Sequence, residues 1–365
     1  MSENLIYGTD LLSYGAVGDA KTDCSVALNK AISDGQSLIS IPYGNYIFKS
    51  GLNFSSNVKL SVHPKATLTF DFDSKNDCAC VSNVGAQSVC SGIIITGGIW
   101  VNKTKSDLFC FDNVKNLTLS GLEILSQSNE SCICLNGVSS FKLKDIYATA
   151  QKSDSFIKLC NDCFDGIIKN VKASGFDKAL SFGHKNTEST VLHDIYAHAL
   201  CFDNCKTLIN FDKSCEKVFR VCISDVKGSF FDNALCVLCP ANDIEISDIN
   251  VYSLSKSKND ACYILTDSEC EYLEIQNFTR DSLCESTPPI PTAIMKNSGP
   301  DCSVIIDGLA LDSVIMSKGL SKDVSMTAAK LSSPHSKYTY TIELDLKSNQ
   351  TFTLSNTDFE TLSIS

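Results

Sequence analysis

From about residue 117 the chain repeats a short pattern in which apolar and polar residues alternate, break at Asp, Asn or Gly, and alternate again. It reads Leu117-Thr-Leu-Ser-Gly121-Leu-Glu-Ile124, then Phe141-Lys-Leu-Lys-Asp145-Ile-Tyr-Ala148. Shorter versions centre on Asn170, Asp194, Asp225, Asp248, Asn277 and Gly308, so the central residue recurs after about 24, 25, 24, 31, 23, 29 and 31 positions. Alternation with period two predicts strands. A near-constant period of this length predicts coils that stack and share one core. Gly, Asn and Asp tolerate a left-handed backbone at low cost, so the recurring residue predicts a tight bend on every coil. Hairpin turns would use the same residues, but the constant period argues against an antiparallel sheet. The reading is an all-β, single-stranded parallel β-helix.

A second strand belongs to each coil: Cys132–Leu135, Phe156–Leu159, Ala179–Phe182, Ala234–Val237 and Cys262–Leu265, each with apolar inward positions. A solenoid end is a sheet edge that needs covering. A short capping helix is expected near residue 24, with Asp23 as N-cap, Val26, Ala27, Ala31 and Ile32 as its apolar face and Gly35 as its stop. At the other end Tyr338–Leu346 and Phe352–Leu354 alternate strictly, which predicts a strand-rich tail that closes or decorates the solenoid. The expected division is 1–50 for the capping helix and first coil, 51–312 for the coils, and 313–365 for the tail.

Composition narrows the partners. Net charge is −11 and only Arg220 and Arg280 are arginine, which disfavours nucleic acid, since phosphate binding needs a clustered basic surface. No run is long and apolar enough for a membrane span. A polyuronate is repelled unless a cation or a local lysine cluster offsets the charge. The first residues, Met1–Tyr7, lack the basic start and apolar run of a signal peptide. That gives the expectation of a cytoplasmic or virion-associated protein unless a leader has been removed. Nineteen cysteines are then read as mostly reduced core residues. Two Cys-x-x-Cys pairs, Cys160/Cys163 and Cys236/Cys239, suggest zinc. The repeat sets them three coils apart, roughly 14 Å at ~4.8 Å per strand, too far for one ion.

Ser13-Tyr-Gly-Ala-Val-Gly-Asp19 with Thr22-Asp23, and later Ile41-Pro-Tyr-Gly-Asn-Tyr46, resemble the opening signatures of the pectate-lyase superfamily. Ala66–Phe70 and Gly97-Gly-Ile-Trp100 continue the likeness. The resemblance implies that the β-helix is right-handed. It is nearest to the polygalacturonase-like glycosidases of family 28, whose active sites carry Asn-Thr-Asp, Asp-Asp, Gly-His-Gly and Arg-Ile-Lys motifs on neighbouring coils. Here Ser153-Asp154-Ser155 falls on the Asp-Asp segment and Asn129-Glu130-Ser131 on Asn-Thr-Asp. Asp177-Lys178-Ala179 puts lysine where histidine is expected, and no Arg-x-Lys motif follows.

Independently of that likeness, a column of acids precedes the second strand: Glu130, Asp154, Asp177, Asp232 and Asp260. On successive coils Glu130, Asp154 and Asp177 would hold carboxyl groups some 5–10 Å apart, a range that spans retaining and inverting glycosidases. Crowded acids also raise one another's pKa, as a general acid requires. The alternative is structural, because an Asp before a strand often caps its turn. Lys158, Lys178, His184 and Phe156 are the candidate substrate-binding residues, Phe156 as an aromatic platform. His193 is expected to face solvent elsewhere. Cys132, Cys134 and Cys236 are expected to point outward on the candidate face.

Three functions remain open at this point. A glycoside hydrolase would use Asp154 as central acid or base, with Glu130 or Asp177 as partner and no cofactor, on a polysaccharide or oligosaccharide. A non-catalytic adhesin or virion spike would be expected as a homotrimer. A polysaccharide lyase would need Ca²⁺ held by the acids and a lysine as base.

Overall fold

The computed structural model describes residues 8–73, 79–83, 89–183, 191–229, 232–251, 262–266, 270–280, 293–297, 302–310, 315–316, 324–327, 340–342, 352–355 and 362–364. The chain divides into two compact units, Met1–Ile157 and Lys158–Ser365. Both are built as a right-handed parallel β-helix. In the first, Leu119 of one coil pairs in parallel with Ile95 of the coil before it and Leu143 of the coil after it. In the second, Ile168 pairs with Ala197, Ala197 with Ile223, Ile223 with Ile246 and Ile246 with Ile275. Among the described residues no helix is long and apolar enough to cross a membrane.

The bends take the residue types the sequence pattern demands. Gly97, Gly121 and Asp145 stack in the first unit with φ of 78°, 66° and 55°. Asn170, Ala199, Asp225, Asp248 and Asn277 stack in the second, all with φ between 51° and 57°. One register expectation fails here. Asp194 does not share the Asn170 column; it pairs with the Asp165 level, and Ala199 takes the bend expected of it. The intervals 24 and 31 therefore become 29 and 26. The cause is another column of left-handed bends, at Gly92, Asn116 and Ser140 in the first unit and Asp165, Asp194, Arg220 and Asp243 in the second. Both bends ask for the same residue types between alternating apolar positions, so a short segment such as Leu192–Ala197 fits either.

Inward positions fill the core. Phe48 stacks on Phe70 at 5.0 Å, Phe70 on Trp100 at 6.1 Å, and Trp100 meets Phe109 at 5.0 Å. Phe182 and Phe211 stack at 4.6 Å in the second unit. Each such pair adds about 0.5–1.5 kcal/mol beyond its buried area. The Trp100 indole N–H is satisfied by the Gly97 carbonyl, 2.9 Å away. Gly97 must be glycine: a Cβ there would lie 2.2 Å from the Val62 carbonyl oxygen, besides its positive φ.

The expected helix forms at Ser25–Ser33 and is shifted by one residue from the expected cap. Cys24 occupies the cap position without a side-chain bond to the helix; its thiol donates to the Val17 and Thr22 carbonyls instead. Asp23 still acts on the first turn, accepting from the Ser25 N–H and hydroxyl and from the Lys49 N–H. The buried face is Ala27, Leu28, Ala31 and Ile32; Val26, expected on it, is 74% exposed. Gly35 ends the helix with φ 76°. In the tail, Ile315–Met316, Tyr340–Ile342 and Leu362–Ile364 pair in parallel as a three-stranded sheet of their own. Val324–Thr327 pairs in parallel with Cys302–Ala310 and then with Phe352–Ser355, so the solenoid ladder continues through them.

Ala199 is the one alanine in a column of Asn and Asp. A left-handed alanine costs roughly 1–2 kcal/mol, so Ala199→Gly is expected to raise stability by about 1 kcal/mol. The midpoint of urea unfolding should move up; an unchanged or lower midpoint would show that this bend is not strained.

Candidate functional site

The turns that carry the candidate acids are held from beneath by a buried stack of small polar residues. Asn102, Ser126 and Ala150 lie in register on three successive coils. Asn102 accepts from the Thr104 N–H and hydroxyl and donates to the Ser106 carbonyl. The Ser128 hydroxyl donates to the Ser106 carbonyl at 3.0 Å, and the Ser153 hydroxyl donates to the Ser128 carbonyl at 2.5 Å. Asn102, Thr104, Ser106, Ser126, Ser128 and Ser153 are all buried. Satisfied polar groups in a low dielectric fix a single conformation, here that of the turns 103–107 and 127–131 and of the strand segment 151–155.

Those segments set the acids in a row. The Asp154 N–H donates to the Asn129 carbonyl and the Cys132 N–H to the Ser155 carbonyl, each at 2.9 Å. These bonds place Glu130 directly beside Asp154, one strand spacing or about 4.8 Å apart along the backbone. The Ser155 hydroxyl donates to Asp154 at 3.1 Å, and the Glu130 N–H is held by the Ser128 hydroxyl at 3.1 Å. One coil earlier Asp107, absent from the expected column, accepts from the Ser131 N–H at 2.8 Å. All three acids are half-buried. A shallow depression of about 460 Å³ lies elsewhere in the same unit, over Gly97, Gly121 and Asp145, and none of the three acids lines it.

In the second unit the expected residues are committed to ion pairs. Asp177 meets Lys206 at 2.6 Å and Lys178 meets Asp212 at 3.3 Å. Asp212 was not expected. It also accepts from the Ser214 N–H at 3.1 Å and lies 3.5 Å from the Asn210 amide, which donates to the Ser181 hydroxyl. Burial pushes the Asp212 carboxyl up, but the Ser214 N–H and the Lys178 ammonium outweigh it and hold the group below its ordinary value. Lys158 is almost wholly buried, as is Asp232. His184 and Asp260 lie outside the described residues.

Several outward expectations are corrected by burial. Phe156 has no exposed surface, so its ring offers no face to a sugar. Cys132, Cys134 and Cys236 are buried too: Cys134 keeps the outward side of its strand but is covered there, and Cys132 is buried completely, with its thiol hydrogen-bonded to Ser126. The zinc arithmetic holds: Leu159, Phe182, Phe211 and Val237 stand on four successive rungs, so Cys160 and Cys236 are three coils apart. His193 is part-exposed, on a strand that carries none of the candidate acids. It lies flat between Phe164 and Phe219, at 5.1 and 4.9 Å, with its Nδ1 2.6 Å from Asp194. Arg220 grips the same carboxylate through Nε at 2.6 Å and a terminal nitrogen at 2.7 Å. That fork, then His193, holds Asp194 well below the usual carboxylate range.

Residues 9–229, well over half of the chain, match the family model described as rhamnogalacturonase A/epimerase, pectate lyase-like. The chain belongs to that family. No curated protein matches the sequence. Solved structures with the same fold include the family 28 exopolygalacturonase of Yersinia enterocolitica, with a TM-score of 0.63 at 13% identity over 95% of this chain and 77% of that one. The surface adhesin PfbA of Streptococcus pneumoniae gives 0.58 at 13% identity, over 96% and 91% of the two chains. A tailspike protein of E. coli bacteriophage HK620, solved with a pentasaccharide, gives 0.55 at 10% identity, over 96% and 79%. These likenesses show the fold and do not choose among the functions it hosts.

Asp212 makes a pH prediction. Its folded-state pKa is depressed, so its stabilisation is present above the unfolded carboxylate value near 4 and is lost as pH falls through the folded value. Asp212→Asn should cost about 1 kcal/mol at pH 7, a part-exposed charge-assisted pair being worth no more. The gap between wild type and variant should close as denaturation is repeated at pH 5, 4 and 3. A gap that stays constant with pH would contradict the ionic role.

Proposed function

We propose that the protein is a glycoside hydrolase that cleaves a polysaccharide with Glu130 and Asp154 as its paired carboxylates. The observation that carries this reading is the Asp154 N–H bond to the Asn129 carbonyl, which sets the two acids side by side on adjacent coils. Glycosidases of either stereochemistry need two carboxyl groups flanking one glycosidic bond. The Ser155 hydroxyl donates to Asp154, and a hydrogen bond to a carboxylate favours its ionised form. Asp154 is therefore assigned the role of central acid or base, with Glu130 as its partner. Asp177, the other partner considered from the sequence, is assigned to its ion pair with Lys206. Membership of a family named for a rhamnogalacturonase supports a carbohydrate substrate.

A binding-only reading, as in an adhesin or a spike, draws on the ion pairs of the second unit. Lysine stands at 178 where the family 28 likeness expects histidine, and it is neutralised by Asp212. The same pairing weakens the lyase reading, which needs a lysine able to lose its proton and a Ca²⁺ ion held by the acids.

Incubation with a broad panel of poly- and oligosaccharides, following reducing ends and unsaturated-uronate absorbance together, separates the three. New reducing ends without absorbance, reduced at least about a hundredfold in rate by Asp154→Asn and by Glu130→Gln, are expected. Absorbance would identify a lyase instead. No release from any glycan by a folded protein would leave the binding reading in front.

A further inference from the structure

Two cysteines of the first unit stand in a position the proposed hydrolysis does not use. Cys110 and Cys134 are directly in register on adjacent parallel strands, Phe109–Asp112 and Ile133–Asn136. They share the outward side of their strands, since Phe109, Phe111, Ile133 and Leu135 alternate with them into the core. Cys134 is buried and Cys110 half-buried. Their thiols share a hydrogen bond, and that bond together with burial pushes the Cys110 thiol up. Asp107 closes the group. One carboxylate oxygen of Asp107 and the two Sγ atoms all lie within 4.8 Å of one another.

We infer that Asp107, Cys110 and Cys134 form a three-ligand site for a divalent, thiophilic metal ion, with Zn²⁺ the ion that best fits the donor set. Two sulfurs and one oxygen suit a borderline-soft cation and exclude Mg²⁺ or Ca²⁺, which take oxygen ligands. The size fits as well. Zn–S bonds of about 2.3 Å and Zn–O bonds of about 2.0 Å make a tetrahedron with edges of roughly 3.5–3.8 Å. Ligand atoms within 4.8 Å of one another reach that geometry by side-chain movements of about 1 Å. An outer partner is in place, because the Ser131 N–H holds Asp107 Oδ1 at 2.8 Å and orients the carboxylate as such partners do in metal sites. Binding replaces the two thiol protons by the metal, so two protons leave for each ion bound. Three protein ligands leave a fourth position open for water or a substrate oxygen. The Cys-x-x-Cys pairs that drew attention in the sequence are not part of this site; it is assembled by the stacking of coils.

The test uses the full-length protein, reduced and stripped with a chelator, then titrated with Zn²⁺ and in parallel with Co²⁺. One metal per chain is expected, with thiolate-to-cobalt charge-transfer bands and the intense visible bands of a tetrahedral site. Cys110→Ser and Cys134→Ser should each weaken binding by at least about a hundredfold, beyond the roughly 10–100-fold that loss of an outer partner costs. Asp107→Asn, which leaves both thiols and the core intact, should weaken binding without abolishing the charge-transfer bands. Cys222→Ser, on a strand of the second unit, should change nothing. Circular dichroism of each variant establishes that it is folded. No uptake of either metal, uptake insensitive to all three ligand variants, or a Cys110–Cys134 disulfide that forms in air and takes no metal after reduction would each overturn the site.

Discussion

The in-register parallel ladder is the constraint on which everything else depends. Because a residue on one coil sits over its equivalent on the next at about 4.8 Å, any residue type repeated at the coil period becomes a column. Apolar residues become the aromatic stack that runs through Phe48, Phe70 and Trp100. Serines at the turns become the buried polar stack under the acids. Acids become neighbours on adjacent coils, and cysteines become a pair of converging ligands. Stacking also imposes the left-handed bends, which hold the strands in phase and which only a few residue types accept without strain.

The fold was legible because the same two demands recur on every coil. Period-two apolar alternation and a Gly, Asn or Asp bend were enough to identify the solenoid and to bring Glu130 and Asp154 together. The phase of individual coils was harder. Asp194 fits the wrong bend because a coil has more than one left-handed bend flanked by alternating apolar residues, and Ala199 carries no mark of its left-handed backbone. Asp107 was missed since its strand lies ahead of the stretch where the repeat becomes clear. A signal was present: Asp107 precedes Ser131 by 24 positions and Ser131 precedes Ser155 by 24. Asp212 was missed for another reason, for it follows its strand, Thr207–Phe211, where the other acids precede theirs. Burial was misjudged at Phe156 and at Cys132, Cys134 and Cys236 because alternation assigns a side to each residue without saying what covers that side.

Asp177, Asp194 and Asp212 each face a lysine or arginine at 2.6–3.3 Å and serve as counter-ions. The backbones at Glu130 and Asp154 are held by hydrogen bonds, and a serine hydroxyl donates to Asp154. A chain with a net charge of −11 repels a polyanion at long range, so a neutral or weakly charged glycan suits the row of acids better than a fully ionised polyuronate. Membership of the rhamnogalacturonase A/epimerase family agrees with a carbohydrate at this fold and leaves the choice of sugar to the site itself.

The most direct test is a crystal structure of the Asp154→Asn protein with an oligosaccharide from the polymer that the wild type cleaves. The expected result is a glycosidic oxygen within hydrogen-bond reach of the Glu130 carboxyl, ~2.6–3.2 Å, with residue 154 on the far side of the same bond. A sugar seated elsewhere, such as along Phe164, His193 and Phe219, with Glu130 and residue 154 untouched, would contradict the assignment of the paired acids.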